Sequence, residues 1–225
     1  MQQLLLAIPI LLFSMVAHEY AHGYAALRQG DDTAYALGRL TFNPIKHIDP
    51  FMTIMLPIML AVVTKGQMIF GGAKPVPVNP RNYRNYRRGD IIVSAAGIVT
   101  NLGLALICFV LALVVGIVGG ALGGGGAAAL IQQVLFWGIW LNLLLAFFNI
   151  VPIPPLDGSH ILYHLLPPRL GAQYRALSRY GLLILVALLW FVPGTFSVLL
   201  APAFYLYHLA AVGLGPHVLG TLPLL

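Results

Sequence analysis

The sequence predicts an all-α polytopic membrane protein with about five to six transmembrane segments, on three observations. First, 60% of its 225 residues are hydrophobic and only 8% are charged, whereas a soluble domain carries about a quarter charged residues. Second, several apolar runs approach or exceed the roughly 20 residues that a bilayer-crossing helix needs. Third, the basic residues behind the net charge of +6 sit between those runs. A basic surface can signal nucleic acid, but this distribution is the positive-inside bias of membrane proteins. The expected surroundings are therefore a lipid bilayer, with no nucleic-acid partner. Cys108 is the one cysteine and lies in an apolar run, so no internal disulfide is available.

Taken in order, the first apolar run covers 2–27. It lacks a basic leader and stays apolar through HEYAH, so it reads as a membrane segment rather than a cleaved signal. A polar stretch, 28–50, follows. Run 51–64 is short for a span and contains Pro57. After it comes a Gly/Pro/Arg-rich stretch, 65–90, whose FGGAKPVPVNP carries prolines at 75, 77 and 80. Those prolines remove backbone donors and force extended geometry. Irregular backbone at membrane depth survives only beside protein or a water-filled cavity, so a re-entrant or extended Pro-rich strand element is expected here. Runs 91–118 and 129–151 are joined by a glycine turn at 119–126, and a Pro-containing loop, 152–179, leads to runs 180–193 and 196–214. We read one integral-membrane domain, 1–225, with a core over about 1–165 and a C-terminal transmembrane hairpin over about 178–214.

One pattern carries chemistry. His18-Glu19-Tyr20-Ala21-His22 matches H-E-x-x-H, and Glu19 is the only glutamate in the chain. On a helix, positions i and i+4 share a face, so both imidazoles can reach one zinc ion, with Glu19 beside them as general base toward water. Two histidines hydrogen-bonding across helices without metal is the plainer alternative. Ionisable groups inside an apolar run are costly and usually functional, which favours the metal. A zinc site with three protein ligands and one open position needs one more donor. The H-x-x-G-x-x-H extension fails, because Ala25 and Arg28 occupy its positions. That leaves Asp31, Asp32, Asp49, Asp90, Asp157 and five further histidines. Asp157 ends FFNIVPIPPLDG at a helix break, where a carboxylate can point back toward a neighbouring helix. The same residues also read as an ordinary Asp-Gly turn.

HEYAH in a membrane helix, followed by Asn149-Ile150-Val151-Pro152-Ile153-Pro154-Pro155-Leu156-Asp157-Gly158, resembles the site-2 protease family of intramembrane zinc metalloproteases, in a compact form without appended soluble domains. The second stretch matches every fixed position of that family's N-x-x-P-x-P-x-L-D-G motif. The resemblance implies His18, His22 and Asp157 as ligands of one Zn2+ per chain and Glu19 as catalytic base. It implies cleavage of a peptide bond in or near a transmembrane helix of a protein substrate. Gly97-Ile98-Val99-Thr100-Asn101 resembles the family's G-x-x-x-N element, whose asparagine the resemblance places against substrate; Asn101 and Asn149 are the substrate-binding candidates, with a helix–helix hydrogen bond as the equal alternative for each. GGAKPVPVNP resembles the extended strand that the family places beside its active site. The chain departs at Ser159-His160, where the family often has Gly-Arg, and at Ile98, where proline is common. His160 is expected to hydrogen-bond in the turn rather than to coordinate the metal.

Topology gives an independent expectation. If His18 and Asp157 share an ion, the ends of runs 2–27 and 129–151 lie at one depth, and 28–50 and 81–90 lie on that side. Arg28, Arg39, Lys46, Lys74, Arg81, Arg84, Arg87, Arg88, Arg169, Arg175 and Arg179 then gather together, and the glycine turn and the turn near Pro193 fall opposite. The charge rule makes the first side cytoplasmic in a cell-membrane protein. Two other functions compete: a catalytically silent scaffold for transmembrane partners, and a metal transporter. The complete base-and-ligand set disfavours the first. The near absence of charge in 91–118 and 180–214 disfavours the second. Substrate identity and oligomeric state have no sequence signature here.

Overall fold

A computed structural model describes residues 2–63, 71–192 and 194–220. The start of the Gly/Pro/Arg-rich stretch, 65–70, and the turn residue Pro193 therefore lie outside the described residues. Nine α-helices are described: α1 (Gln2–Gln29), α2 (Thr33–Ala36), α3 (Leu56–Val63), α4 (Tyr86–Ala121), α5 (Gly126–Asn149), α6 (Asp157–Leu165), α7 (Pro168–Leu177), α8 (Gly181–Phe191) and α9 (Thr195–Leu214). Among the described residues there is no β-strand, and 71–79 is neither helix nor strand. The all-helical expectation holds. The re-entrant or extended strand element expected for the Pro-rich stretch is not seen as a strand among the described residues, where prolines 75, 77 and 80 withhold N–H groups that a ladder requires.

Among the described residues, four stretches are long and apolar enough to cross a membrane: Tyr86–Ala121, Gly126–Asn149, Pro168–Phe191 and Thr195–His217. That is fewer than the five to six segments read from the sequence. At 28 residues α1 is about 42 Å long, enough to cross a hydrocarbon core of about 30 Å. α3 continues directly from a helical turn at Pro50–Met55 and runs to Val63, the last described residue before position 71.

The chain forms two compact units, Met1–Leu11 with Ile98–Leu225, and Leu12–Gly97. In the larger unit α5 packs against α9. Trp140 lies 4.7 Å from Phe204 and 5.6 Å from Tyr207, ring centre to ring centre, over the fully buried Ala203. A Cβ on Gly138 would lie 2.5 Å from the Cys108 sulfur, so this glycine sets how closely α5 approaches α4. Polar groups buried in apolar surroundings need partners, and this unit supplies them. The Gln132 amide donates to the carbonyls of Ala112 and His217, and its oxygen accepts from the Leu219 N–H.

In the smaller unit, Ala26, Tyr83 and Val93 form the core, flanked by Ala25 and Val78. The Asp31 carboxylate, fully buried, organises the chain around it. Its Oδ2 accepts from the Asn79 N–H at 2.6 Å, and its Oδ1 from the Thr33 hydroxyl at 2.5 Å and the Asn82 amide at 2.9 Å. Gly30 turns the chain out of α1 at φ 111°, in the left-handed region. The Arg84 N–H then returns to the Gln29 carbonyl at 2.8 Å.

Candidate metal centre

The helical spacing of HEYAH acts first. His18 and His22 lie one turn apart on α1, and their Nε2 atoms stand 3.0 Å from one another. Two nitrogens that are each about 2.0–2.1 Å from a tetrahedral zinc stand about 3.3 Å apart, so the pair fits such an ion closely. His22 Nδ1 lies 2.7 Å from the Val93 carbonyl oxygen on α4. A carbonyl only accepts, so Nδ1 carries the proton and the His22 Nε2 lone pair is left for a metal.

One turn beyond Val93, Gly97 provides the space. A Cβ there would lie 2.4 Å from His18 Cε1 and 2.6 Å from the Nε2 of each histidine. Real Cβ atoms do not approach that closely, so α4 can meet the imidazoles only through a hydrogen. Val93 and Gly97 share one face of α4 at i,i+4, with one residue tethering the ring and the other admitting it.

Glu19 points elsewhere on α1. Its Oε2 accepts from the Val76 N–H at 2.8 Å, in the middle of the Pro-rich segment. Gly23, one turn further, allows that segment to lie against the helix, since its Cβ would stand 2.9 Å from Val76 Cγ1. The segment is pinned along its length. The Thr53 hydroxyl donates to the Gly72 carbonyl, the Lys74 N–H donates to the His47 carbonyl, and Arg39 donates to the carbonyls of Lys74 and Pro75. Asp31 holds its far end at Asn79 and Asn82. Burial pushes the Asp31 carboxyl upward, but the hydrogen bonds from Thr33, Asn79 and Asn82 outweigh that and hold it below its ordinary value. With both oxygens engaged, Asp31 serves the backbone. Asp49 likewise accepts from the Phe51 N–H at 2.9 Å.

Asp157 is the first residue of α6 and is half-buried. The chain reaches it through tight turns: the Leu156 N–H bonds the Ile153 carbonyl and the Ser159 N–H bonds the Leu156 carbonyl, each at 3.0 Å. Gly158 is sterically required, since a Cβ would fall 2.1 Å from the Ile150 carbonyl oxygen. The Asp-Gly pair thus opens a helix folded back on the end of α5. His160 is exposed on α6 and lines a cavity of about 240 Å³ with Tyr163, Tyr174 and Arg175. The Asn101 amide, fully buried, donates to Asn142 Oδ1 at 2.8 Å, and the Asn149 amide donates to the Leu145 carbonyl at 2.9 Å.

The sequence marks neither Val93 nor Thr53, and it offers Asp31 only as a candidate ligand and Arg39 only as a loop charge, not as supports of the Pro-rich segment. The Val93 contribution is a backbone carbonyl, which leaves no mark in a side-chain pattern. Asp31 carried one signal: an Asp-Asp-Thr immediately after a helix, where a short carboxylate readily takes backbone N–H groups.

Among known families, the model of peptidase family M50 matches residues 6–125 and 114–192. YwhC of Bacillus subtilis is 42% identical over 178 residues, covering 79% of this chain and 77% of that protein. Rip2 of Mycolicibacterium smegmatis is 31% identical over 178 residues, covering 79% of this chain and 64% of Rip2. MJ0611 of Methanocaldococcus jannaschii is 31% identical over 100 residues, covering 43% of this chain and 46% of that protein. All three carry the name "Putative zinc metalloprotease". No solved structure matches the chain.

Proposed function

The chain belongs to peptidase family M50, a family of multi-pass membrane zinc metalloproteases, and from that premise we propose that it is an intramembrane endopeptidase of the HExxH type, hydrolysing a peptide bond in or near a transmembrane segment of a membrane-protein substrate. The observation that carries the reading is the His18–His22 pair at 3.0 Å, with its tautomer set by Val93 and the one glutamate on the same helix. In this reading His18 Nε2, His22 Nε2 and the Asp157 carboxylate hold one zinc ion. Support for Asp157 is the complete N-x-x-P-x-P-x-L-D-G stretch and the commitment of Asp31 elsewhere.

Bound zinc supplies Lewis acidity, polarising a carbonyl and making water nucleophilic at neutral pH. The remaining work belongs to the chain. The Glu19 carboxylate takes a proton from water and delivers it to the nitrogen of the departing amine. Its bond from the Val76 N–H fixes one oxygen and leaves the other to move the proton. The pinned segment 71–79 offers extended backbone to an unwound substrate by strand addition, at the positions prolines 75 and 77 leave free. Asn149, half-buried, is assigned to the substrate's freed peptide groups, whereas Asn101, fully buried against Asn142, fits a helix–helix hydrogen bond instead. The zinc site opens toward the cytoplasmic face of the cell membrane, on the side of the arginine-rich connections, following the charge rule.

Glu19→Gln keeps the size and the acceptor oxygen for Val76 but removes the base. It should retain zinc at wild-type level and lose about 10²–10⁴-fold in cleavage of a transmembrane-helix reporter in vesicles. Unchanged cleavage by the purified variant would overturn the assignment.

A further inference from the structure

Four arginines, Arg81, Arg84, Arg87 and Arg88, fall within eight residues at the start of α4, and all are exposed. A run of this kind is usually a mobile, solvated stretch, but here the backbone is held. Asp31 binds Asn79 and Asn82, the Arg84 N–H bonds the Gln29 carbonyl, and Tyr83 is buried as a plug against Gly89, whose Cβ would stand 2.8 Å from that ring. Asn85 Oδ1 accepts from the Arg88 N–H at 2.9 Å and caps the helix. The acidic groups nearby face inward: Asp31 and Asp90 are both buried.

Arg87 and Arg88 open a shallow groove of about 360 Å³, completed by Asn85, Ile91 and Ile92. Ile91 and Ile92 stand one helical turn beyond Arg87 and Arg88, at the point where α4 becomes the most apolar stretch of the chain. Each arginine therefore has an aliphatic side chain below it along the helix. An anionic headgroup with an acyl chain matches this sequence of charge and then hydrocarbon; a free phosphate matches only the upper part. Guanidinium groups suit phosphate oxygens through paired donors.

We propose that the Arg87/Arg88 groove is a binding site for an anionic glycerophospholipid of the bilayer, with the phosphate on the arginines and an acyl chain along Ile91 and Ile92. Arg81 and Arg84 add attraction for the same charged leaflet. The site lies wholly within residues 81–92 and stands independently of the proteolytic reading.

The test is lipid binding by the full-length protein in detergent, using phosphatidylglycerol and phosphatidylcholine of identical acyl chains with a fluorescent phosphatidylglycerol as competitor. Phosphatidylglycerol should bind selectively and weaken with ionic strength, while inorganic phosphate should compete poorly. Each juxtamembrane basic residue near an anionic surface contributes about a fivefold factor, so Arg87→Gln/Arg88→Gln should lower phosphatidylglycerol affinity about 25-fold and leave phosphatidylcholine unchanged. Arg87→Lys/Arg88→Lys keeps the charge and should lose part of that affinity, since lysine lacks the planar fork. The control is Arg169→Gln/Arg179→Gln, which removes the same charge from another part of the chain. An equal loss in the control, equal binding of the two lipids, or stronger competition by an acidic peptide than by phosphatidylglycerol would each overturn the proposal.

Discussion

Gly97→Ala adds one methyl group at a position with no room for it. That carbon would lie 2.4 Å from His18 Cε1 and 2.6 Å from both Nε2 atoms. Ordinary carbon contacts begin at about 3.5 Å, so the rings must withdraw by about 1 Å. Neither can do so freely: His18 is only 7% exposed, and His22 is tied to the Val93 carbonyl at 2.7 Å. Moving His22 breaks that tether, and lost support for a ligating histidine typically costs about 10–100-fold in metal affinity. A displacement of about 1 Å at the reacting centre costs on the order of 10²-fold in rate. The expected result is zinc affinity down by about one to two orders of magnitude and cleavage down by about 10²-fold. Zinc content after dialysis against graded chelator, followed by cleavage of a transmembrane reporter, measures both. Gly103→Ala, on the same helix with nothing within 4 Å of its Cβ, should behave as wild type and controls for a general helix effect. Wild-type zinc affinity and cleavage in Gly97→Ala would refute the view that this glycine makes room for the metal ligands.

Asp157→Ala should lower zinc content while leaving the helical circular dichroism signal intact; full zinc retention would send the search for a third ligand elsewhere. Asp31→Ala leaves the donors of half-buried Thr33 and Asn79 and of exposed Asn82 without their acceptor, at up to about 1–3 kcal/mol for a group that stays shielded from water, and should expose 71–82 to limited proteolysis. Because the folded-state pKa of Asp31 lies below its ordinary value, its stabilisation is complete above the unfolded carboxylate pKa of about 4 and is lost as pH falls through the lower folded value. Thermal unfolding of wild type should therefore weaken on acidification, and Asp31→Asn should flatten that part of the profile. Gln132→Leu removes three hydrogen bonds and should lower thermal stability, with faster hydrogen exchange at Leu219 as the local readout.

The helical class, the positions of the long apolar spans and the HEYAH ligand pair were legible in the chain itself. Each depends on short-range periodicity: about 20 apolar residues for a span, i and i+4 for two ligands on one face. Residues 71–79 could be read as non-helical from prolines 75, 77 and 80, but not as a segment tied down at both ends. Its ties are Thr53, His47, Arg39, Glu19 and Asp31, which lie far from it in sequence and mostly meet it through backbone atoms.

The same division runs through the metal centre. The sequence by itself determined that His18 and His22 share one helix face and that Glu19 is the one glutamate beside them, since helical pitch and composition need no tertiary information. Only the fold decided which nitrogen of His22 is left for a metal, why position 97 has no side chain, and what holds Glu19 in place. Those answers rest on a carbonyl of Val93, a missing Cβ and an N–H of Val76. Backbone groups are common to nearly every residue, so a one-dimensional pattern cannot single them out, and they acquire a role only when packing aims them at a particular side chain.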